Sequence, residues 1–199
     1  LTVTGKDFCG TSWSYSDTLE INVVQDPTFF VTNPPTGSSL SGGQLILESL
    51  ALTSGSVVRV DYYINDTYVG SAYSAPFRLT LDSCGANGTY NVYAIMYDSN
   101  GRSAQSADVA VTISNPTLDG TNYVLKNPFR VKFFGTGFKP GAKLYFNGIE
   151  APITKVLSSN IVVAKGGKAL KALIPEGVPI SVTLVNKDGS CSAPVTFQR

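Results

Sequence analysis

Short runs of alternating apolar and polar residues recur along the chain, with turn residues between them. In VVRVDYYI (57–64), Val58, Val60, Tyr62 and Ile64 share one side of an extended chain, while Arg59, Asp61 and Tyr63 share the other. Asn65-Asp66 follows, and a second alternating run leads to Leu79. Period-two alternation bounded by short polar residues predicts a hairpin. Both Asn65 and Asp66 suit its turn, because short polar side chains tolerate positive φ. QLILESLAL (44–52) reads as a strand with Leu45, Leu47 and either Leu50 or Leu52 inward, and FRLTLD (77–82) as another. In NGTYNVYAIMYD (87–98), Tyr90, Val92, Ala94 and Met96 form one face and Tyr93, Ile95 and Tyr97 the other. TNPPTGSSLSGG (32–43) reads as a linker and first edge strand whose prolines discourage edge pairing. KALKALIPEG (168–177) is nearest to a helix, and Pro175 and Gly177 end it within two turns. Many short strands without a sustained helical period predict an all-β protein of sandwiches.

A repeat organises these strands. Segments 1–27, 90–116 and 180–199 each hold an alternating strand, a polar Asp/Gly turn (Asp7–Gly10, Asp98–Gly101, Asp188–Gly189), small Ser/Ala residues and a final alternating strand. They read as the closing hairpins of three successive sandwiches. The expected units are therefore 1–25, the last hairpin of an incomplete domain, then 26–114, then 115–199. An isolated hairpin is marginal in water. The remaining strands of the first unit are expected from upstream sequence, a second polypeptide or a docked neighbour.

Two of these units resemble known families. Residues 57–113, with SAPF at 74–77 and GTYNVYAIMYDSNG at 88–101, resemble bacterial Ig-like modules of secreted glycanases and surface proteins. The resemblance covers about ninety residues and departs from the usual pattern at Asp66 and Leu81, with neither change threatening the fold. Tyr90 falls at the tyrosine-corner position of such sandwiches. In the last unit, Gly135-Thr136-Gly137-Phe138, Pro140-Gly141 and Asn147-Gly148 resemble the start of an IPT/TIG domain, and IPEGVPISVTLVNKDGSCSAPVTF (174–197) its end. The resemblances imply tandem immunoglobulin-like β-sandwiches preceded by a truncated domain's hairpin. In such a sandwich the last hairpin turn lies at the pole where the chain enters, and the connection before the penultimate strand lies at the pole where it leaves. Cys84 and Cys191 are then expected at one inter-domain joint, and a bridge between them is one reading. Three free thiols is the other. Cys9, in the first unit's turn, is expected to have no partner within this chain.

Composition narrows the function. Hydrophobic residues make up 43% of 199 and charged residues 15%, too apolar for disorder. No apolar run approaches the roughly 20 residues of a membrane span, so no membrane insertion is expected. The lack of an initiator Met and of a signal peptide suggests a mature product or fragment. The chain has no histidine, which removes the usual general base and the commonest metal ligand. Charge is uneven: residues 1–114 carry four Lys/Arg against ten acids, and residues 115–199 carry eleven against four. End-to-end polarity of this kind helps copies or neighbouring modules attract each other at low salt.

Nucleotide loops are not expected at Gly135-x-Gly137 or at GGK (166–168), since neither has the required spacing. DSNG (98–101) has the oxygen-rich turn chemistry that suits Ca²⁺ but lacks the other ligands of a dedicated loop. Asn65 and Asn87 fit the glycosylation pattern and also suit turns. Trp13, Tyr15, Tyr63 and Tyr68, with Tyr73, Tyr93 and Tyr97, are candidates for stacking on sugars if exposed in a row.

The leading expectation is a non-catalytic extracellular or cell-surface protein whose modules serve as stalk, spacer or adhesion unit, with no enzyme activity, cofactor, metal or nucleic-acid partner. Its expected partners are neighbouring domains or subunits of a surface assembly, with polysaccharide a candidate. Two alternatives stand beside it: a carbohydrate-binding accessory region of a secreted glycanase, and a self-assembling fibre or surface-layer subunit completed by strands from another chain.

Overall fold

A computed structural model describes residues 2–16 and 27–199, apart from the side chain of Trp13. The end of the first expected unit, 17–25, lies outside the described residues. The part of it that is described is one hairpin, β1 (Thr2–Lys6) against β2 (Ser12–Ser16), in continuous antiparallel register from Thr2↔Ser16 to Lys6↔Ser12.

The next unit is a sandwich. One sheet holds β3 (Thr28–Asn33), β5 (Gln44–Leu52) and β8 (Leu79–Asp82). The other runs β4 (Ser38–Leu40), β11 (Val109–Ser114), β9 (Asn87–Asp98), β6 (Val57–Ile64), β7 (Thr67–Ala72), with β10 (Ser103–Gln105) also on β9. Their inner faces bury Phe29, Leu45 and Leu47 against Val60, Tyr62, Val92, Met96 and Val111. The prolines at 34 and 35 fall between β3 and β4, where the chain crosses from one sheet to the other. Thr28–Asn33, upstream of them, is a strand that the alternation did not announce.

Two inward positions differ from the sequence reading. Leu50 and Leu52 both face solvent, and Ser49 and Ala51 turn inward, because strand parity from Leu45 and Leu47 continues unbroken. Ser49 tolerates burial because its hydroxyl bonds the Tyr62 hydroxyl at 2.6 Å, and Tyr62 donates to the Phe77 carbonyl at 2.5 Å. Burial pushes the Tyr62 phenol up to about 12. Val58 also faces out: a register shift between Val57 and Arg59 turns Val57 onto the core instead. The Tyr90 hydroxyl returns to the Asn87 carbonyl at 3.2 Å, closing the corner.

The last unit is a second sandwich. One sheet runs β12 (Thr117–Lys126), β13 (Phe129–Thr136), β17 (Ile161–Lys165), β16 (Ile153–Ser158). The other runs β15 (Ile149–Glu150), β14 (Lys143–Phe146), β18 (Ile180–Val185), β19 (Val195–Phe197). Phe133 packs on Phe197 and Phe146, with ring centroids 5.4 and 6.0 Å apart. Between the sheets, α1 (Gly167–Leu173) carries Leu170 into that core, and Ile174 follows it there.

The repeat has a common chemical basis. In the first two turns the leading Asp accepts two backbone N–H groups through Oδ1: Asp7 from Cys9 and Thr11, Asp98 from Asn100 and Arg102. The backbone pairs 7/11 and 98/102 have their counterpart at 186/190, so the residue heading the third turn is Asn186 rather than Asp188. Ser106 and Ser192 also match, each hydroxyl oxygen accepting a strand N–H that the hairpin leaves open, of Ala94 and Leu184.

Asp98 is buried, and burial alone would raise its pKa. Hydrogen bonds from Arg102 (2.5 Å to Oδ2), from Thr53 and from the Asn100 backbone instead lower it to about 2. Asp188, held by Lys139 at 2.5 Å and by Ser190, also falls to about 2. A carboxylate depressed in the folded state stabilises fully above its unfolded value of 3.8, and that stabilisation is lost as pH falls through 2. Unfolding free energy is therefore expected to drop between about pH 4 and about pH 2. Asp98→Asn should flatten that limb for the middle sandwich; an unchanged slope in acid urea titrations would contradict the assignment.

Candidate functional site

The most constrained region outside the two cores is the joint between the sandwiches. Only Asn115 and Pro116 separate β11 from β12. Asn115 is 6% exposed, and its side chain serves several segments at once. Nδ2 donates to the carbonyls of Ser83 (2.6 Å) and Ala86 (3.2 Å), and Oδ1 accepts from Gly42 N–H (3.1 Å). The Asn115 N–H donates to Asn87 Oδ1 (2.8 Å). The connector is thereby bound to the β8–β9 connection and to the turn after β4.

The turn at Asn186–Ser190 and the residues just after it sit against this connection. The Gly85 N–H donates to the Cys191 carbonyl at 2.8 Å. Cys84 and Cys191 are joined, with Cα atoms 4.8 Å apart and a sequence separation of 107. Close approach explains two glycines here. A Cβ on Gly85 would lie 2.5 Å from Ala193, and one on Gly43 would lie 3.0 Å from Cys191 Sγ. Asn186 completes the far side, donating to the Gly137 carbonyl and accepting from the Lys139 N–H, both at 2.9 Å. Cys9 is unpaired and exposed at the tip of the β1–β2 hairpin.

The sugar-stacking candidates divide. Tyr63 and Tyr68 come together on the outer face of the larger sheet of the middle sandwich, in register across β6 and β7. Tyr93 joins them from β9. The Tyr63 and Tyr93 rings are parallel, 4.9 Å apart, and Tyr68 meets Tyr63 edge-on at 5.8 Å. The Tyr63 ring thus stacks on a neighbour and meets a second one edge-on, which leaves it little open surface for a sugar. Beside it, Arg59 lies 4.4 Å over the Tyr97 ring and 3.0 Å from Asp61. Asp61 accepts from Ser71, whose hydroxyl also meets Tyr68. Tyr68 and Tyr73 remain exposed, at 55% and 70%. Tyr15 is exposed on β2, and no ring contact among the described residues joins it to Tyr63 or Tyr68. The Trp13 side chain lies outside the described residues.

The turn at 98–101 is organised by Asp98. Both Asp98 oxygens are committed, Oδ1 to two backbone N–H groups and Oδ2 to Arg102 and Thr53. Asn65 and Asn87 serve turns as well, their Oδ1 atoms accepting the N–H groups of Asn91 and Asn115. Sequence reasoning missed Asn115. Its only signal is an Asn-Pro pair between two expected domains, which reads as an ordinary linker.

Comparison with known proteins agrees with this architecture. Residues 27–94 match the bacterial Ig domain, and residues 124–198 match the IPT/TIG domain. The chain thus carries a match to the bacterial Ig domain followed by a match to the IPT/TIG domain, and it is built as tandem immunoglobulin-like sandwiches. Among solved structures, it is similar to the fibronectin(III)-like modules of Clostridium thermocellum CbhA, with 24% identity and a TM-score of 0.41. That match covers 43% of this chain and 94% of the other. It is also similar to SGBP-B of the Bacteroides ovatus mixed-linkage glucan utilization locus, in complex with a mixed-linkage heptasaccharide. There the identity is 14% and the TM-score 0.37, over 86% of this chain and 47% of the other. Comparison with curated proteins finds no match.

Asn115→Ala removes the acceptor of Gly42 and the donor of two carbonyls in a buried site, each costing about 1–3 kcal/mol when left unsatisfied. Urea denaturation should show the middle sandwich weakened by at least about 2 kcal/mol, and a loss below about 0.5 kcal/mol, the size of an ordinary surface change, would refute the role given to Asn115.

Proposed function

We propose that this pair of immunoglobulin-like domains is a stiff, non-catalytic spacer within an extracellular or cell-surface multi-domain protein. One observation carries the reading: the joint has a two-residue connector whose Asn115 is buried and fully bonded, with a cystine at its side. A flexible linker would instead be exposed and solvated. Cystines persist in oxidising compartments, which supports a location outside the cytoplasm. The two buried acids among the described residues, Asp61 and Asp98, are held in ion pairs with Arg59 and Arg102. Residues 1–25 are assigned to the end of a preceding module, with 26–114 and 115–199 as the following units. The shared turn chemistry of Asp7 and Asp98 supports that division.

Polysaccharide contact is a second reading, favoured by the exposed rings of Tyr68 and Tyr73 beside β7. Affinity electrophoresis on neutral glucans, with Tyr68→Ala/Tyr73→Ala as control, tests it: retardation of the native chain that the double variant loses supports the contact.

The spacer reading is tested by small-angle scattering and by distance distributions between labels placed one on each sandwich. The native chain should give one narrow distribution, and Cys84→Ser/Cys191→Ser a broader one with the sandwiches still folded. Closing a loop of 107 residues stabilises by up to about 4–5 kcal/mol when both units unfold together. The double variant should therefore also melt in two separated steps. A broad distribution in the native chain would remove the spacer assignment.

A further inference from the structure

The surplus charge of residues 115–199 is concentrated on the outer face of the sheet formed by β12, β13, β17 and β16. Register sets the positions. Arg130 on β13 stands directly opposite Lys165 on β17. One rung along, Lys132 and Lys155 flank Val163 from either side, with Tyr123 next in line on β12. Val163 is outward-facing yet only 4% exposed, as expected where lysine stems lie over it.

Like charges directly opposite each other weaken a sheet, and acids on the same face would ordinarily relieve them. Here they do not. Among the described residues, none of these four cations is in an ion pair, and Arg130 Nε is buried without a hydrogen-bond partner. Of the four acids of this sandwich, Asp188 pairs with Lys139, Glu150 with Lys143 and Glu176 with Arg199, while Asp119, at the register shift of β12, accepts the Thr121 N–H and is in no ion pair among the described residues. In the middle sandwich Asp61 and Asp98 are buried in ion pairs and Glu48 lies by Arg78, while Asp66, Asp82 and Asp108 are exposed.

We propose that this face binds an anionic polysaccharide, a chain bearing uronate carboxylates or sulfate esters, laid across β13, β17 and β16. The cations stand on three adjacent strands of one sheet face, which suits an extended polymer with repeated charges. Tyr123, 58% exposed at the margin, adds a ring for one sugar face. The preference for a glycan over a nucleic acid rests on the extracellular reading above; the binding of a polyanion does not.

The test is affinity electrophoresis of the whole chain in polygalacturonate and in heparin at low salt, with dextran as the neutral control. Polygalacturonate or heparin should retard the native chain and dextran should not, with retardation falling about tenfold or more between roughly 50 and 200 mM salt. Lys132→Glu/Lys155→Glu should abolish it, while Lys168→Glu/Lys187→Glu, which changes net charge equally, should retain it. Melting curves establish that each variant is folded, and Lys155→Ser alone serves if the first double variant is not. No retardation at low salt, or equal loss in both double variants, overturns the proposal. Tighter binding of a charge-matched single-stranded oligonucleotide than of either glycan overturns the polysaccharide assignment. Failure of the spacer reading would show in the label distances and leave these outcomes untouched.

Discussion

The arrangement of the whole pair depends on one constraint: a two-residue connector cannot hold two sandwiches apart. With only Asn115 and Pro116 between β11 and β12, the polar backbone at the end of the middle sandwich is buried and must be satisfied there. The Asn115 amide does so, bonding Gly42, Ser83 and Ala86 together. Once that loop is fixed, the turn at Asn186–Ser190 has one place to sit. The Gly85–Cys191 hydrogen bond and the cystine then form between surfaces already adjacent. Gly43 and Gly85 mark how close the approach is, since a methyl group at either would meet the neighbouring domain.

The three hairpins show how one local solution is reused. A short side-chain acceptor heads the turn in the first two, the glycine at the fourth position takes positive φ, and a buried serine hydroxyl replaces a missing ladder bond in the last two. In the third, Asn186 takes the head position and turns its amide toward Gly137 and Lys139 instead. The same scaffold thus supplies a free turn at Asp7, an ion-paired one at Asp98 and a domain contact at Asn186. The chemistry grafted onto each turn differs, while the hydrogen-bond frame does not.

The two outer faces differ in the same spirit. On the middle sandwich, Tyr97, Arg59, Asp61, Ser71 and Tyr68 form a connected chain of contacts, and Tyr63 is held between aromatic neighbours. On the last sandwich, Arg130, Lys132, Lys155 and Lys165 share a face, and none of them is in an ion pair among the described residues.

Alternation along the chain determined the strands, their turns and most inward residues, because side chains of a strand alternate whatever lies around them. It located the Asn65-Asp66 hairpin and the positions of Val60, Tyr62, Val92 and Met96. The repeat, together with the resemblance to Ig-like modules, placed Cys84 and Cys191 at the same pole. Alternation could not show the bulge that turns Val58 outward, nor that Ser49 rather than Leu50 faces the core. Those choices depend on what a neighbouring strand presents: a Tyr62 hydroxyl that gives a buried serine its partner. Likewise the role of Asn115, the pairing of Asp98 with Arg102 and Thr53, and the gathering of four cations on one face belong to tertiary structure alone. Each requires residues distant in sequence to meet, and sequence periodicity carries information only about neighbours along the chain.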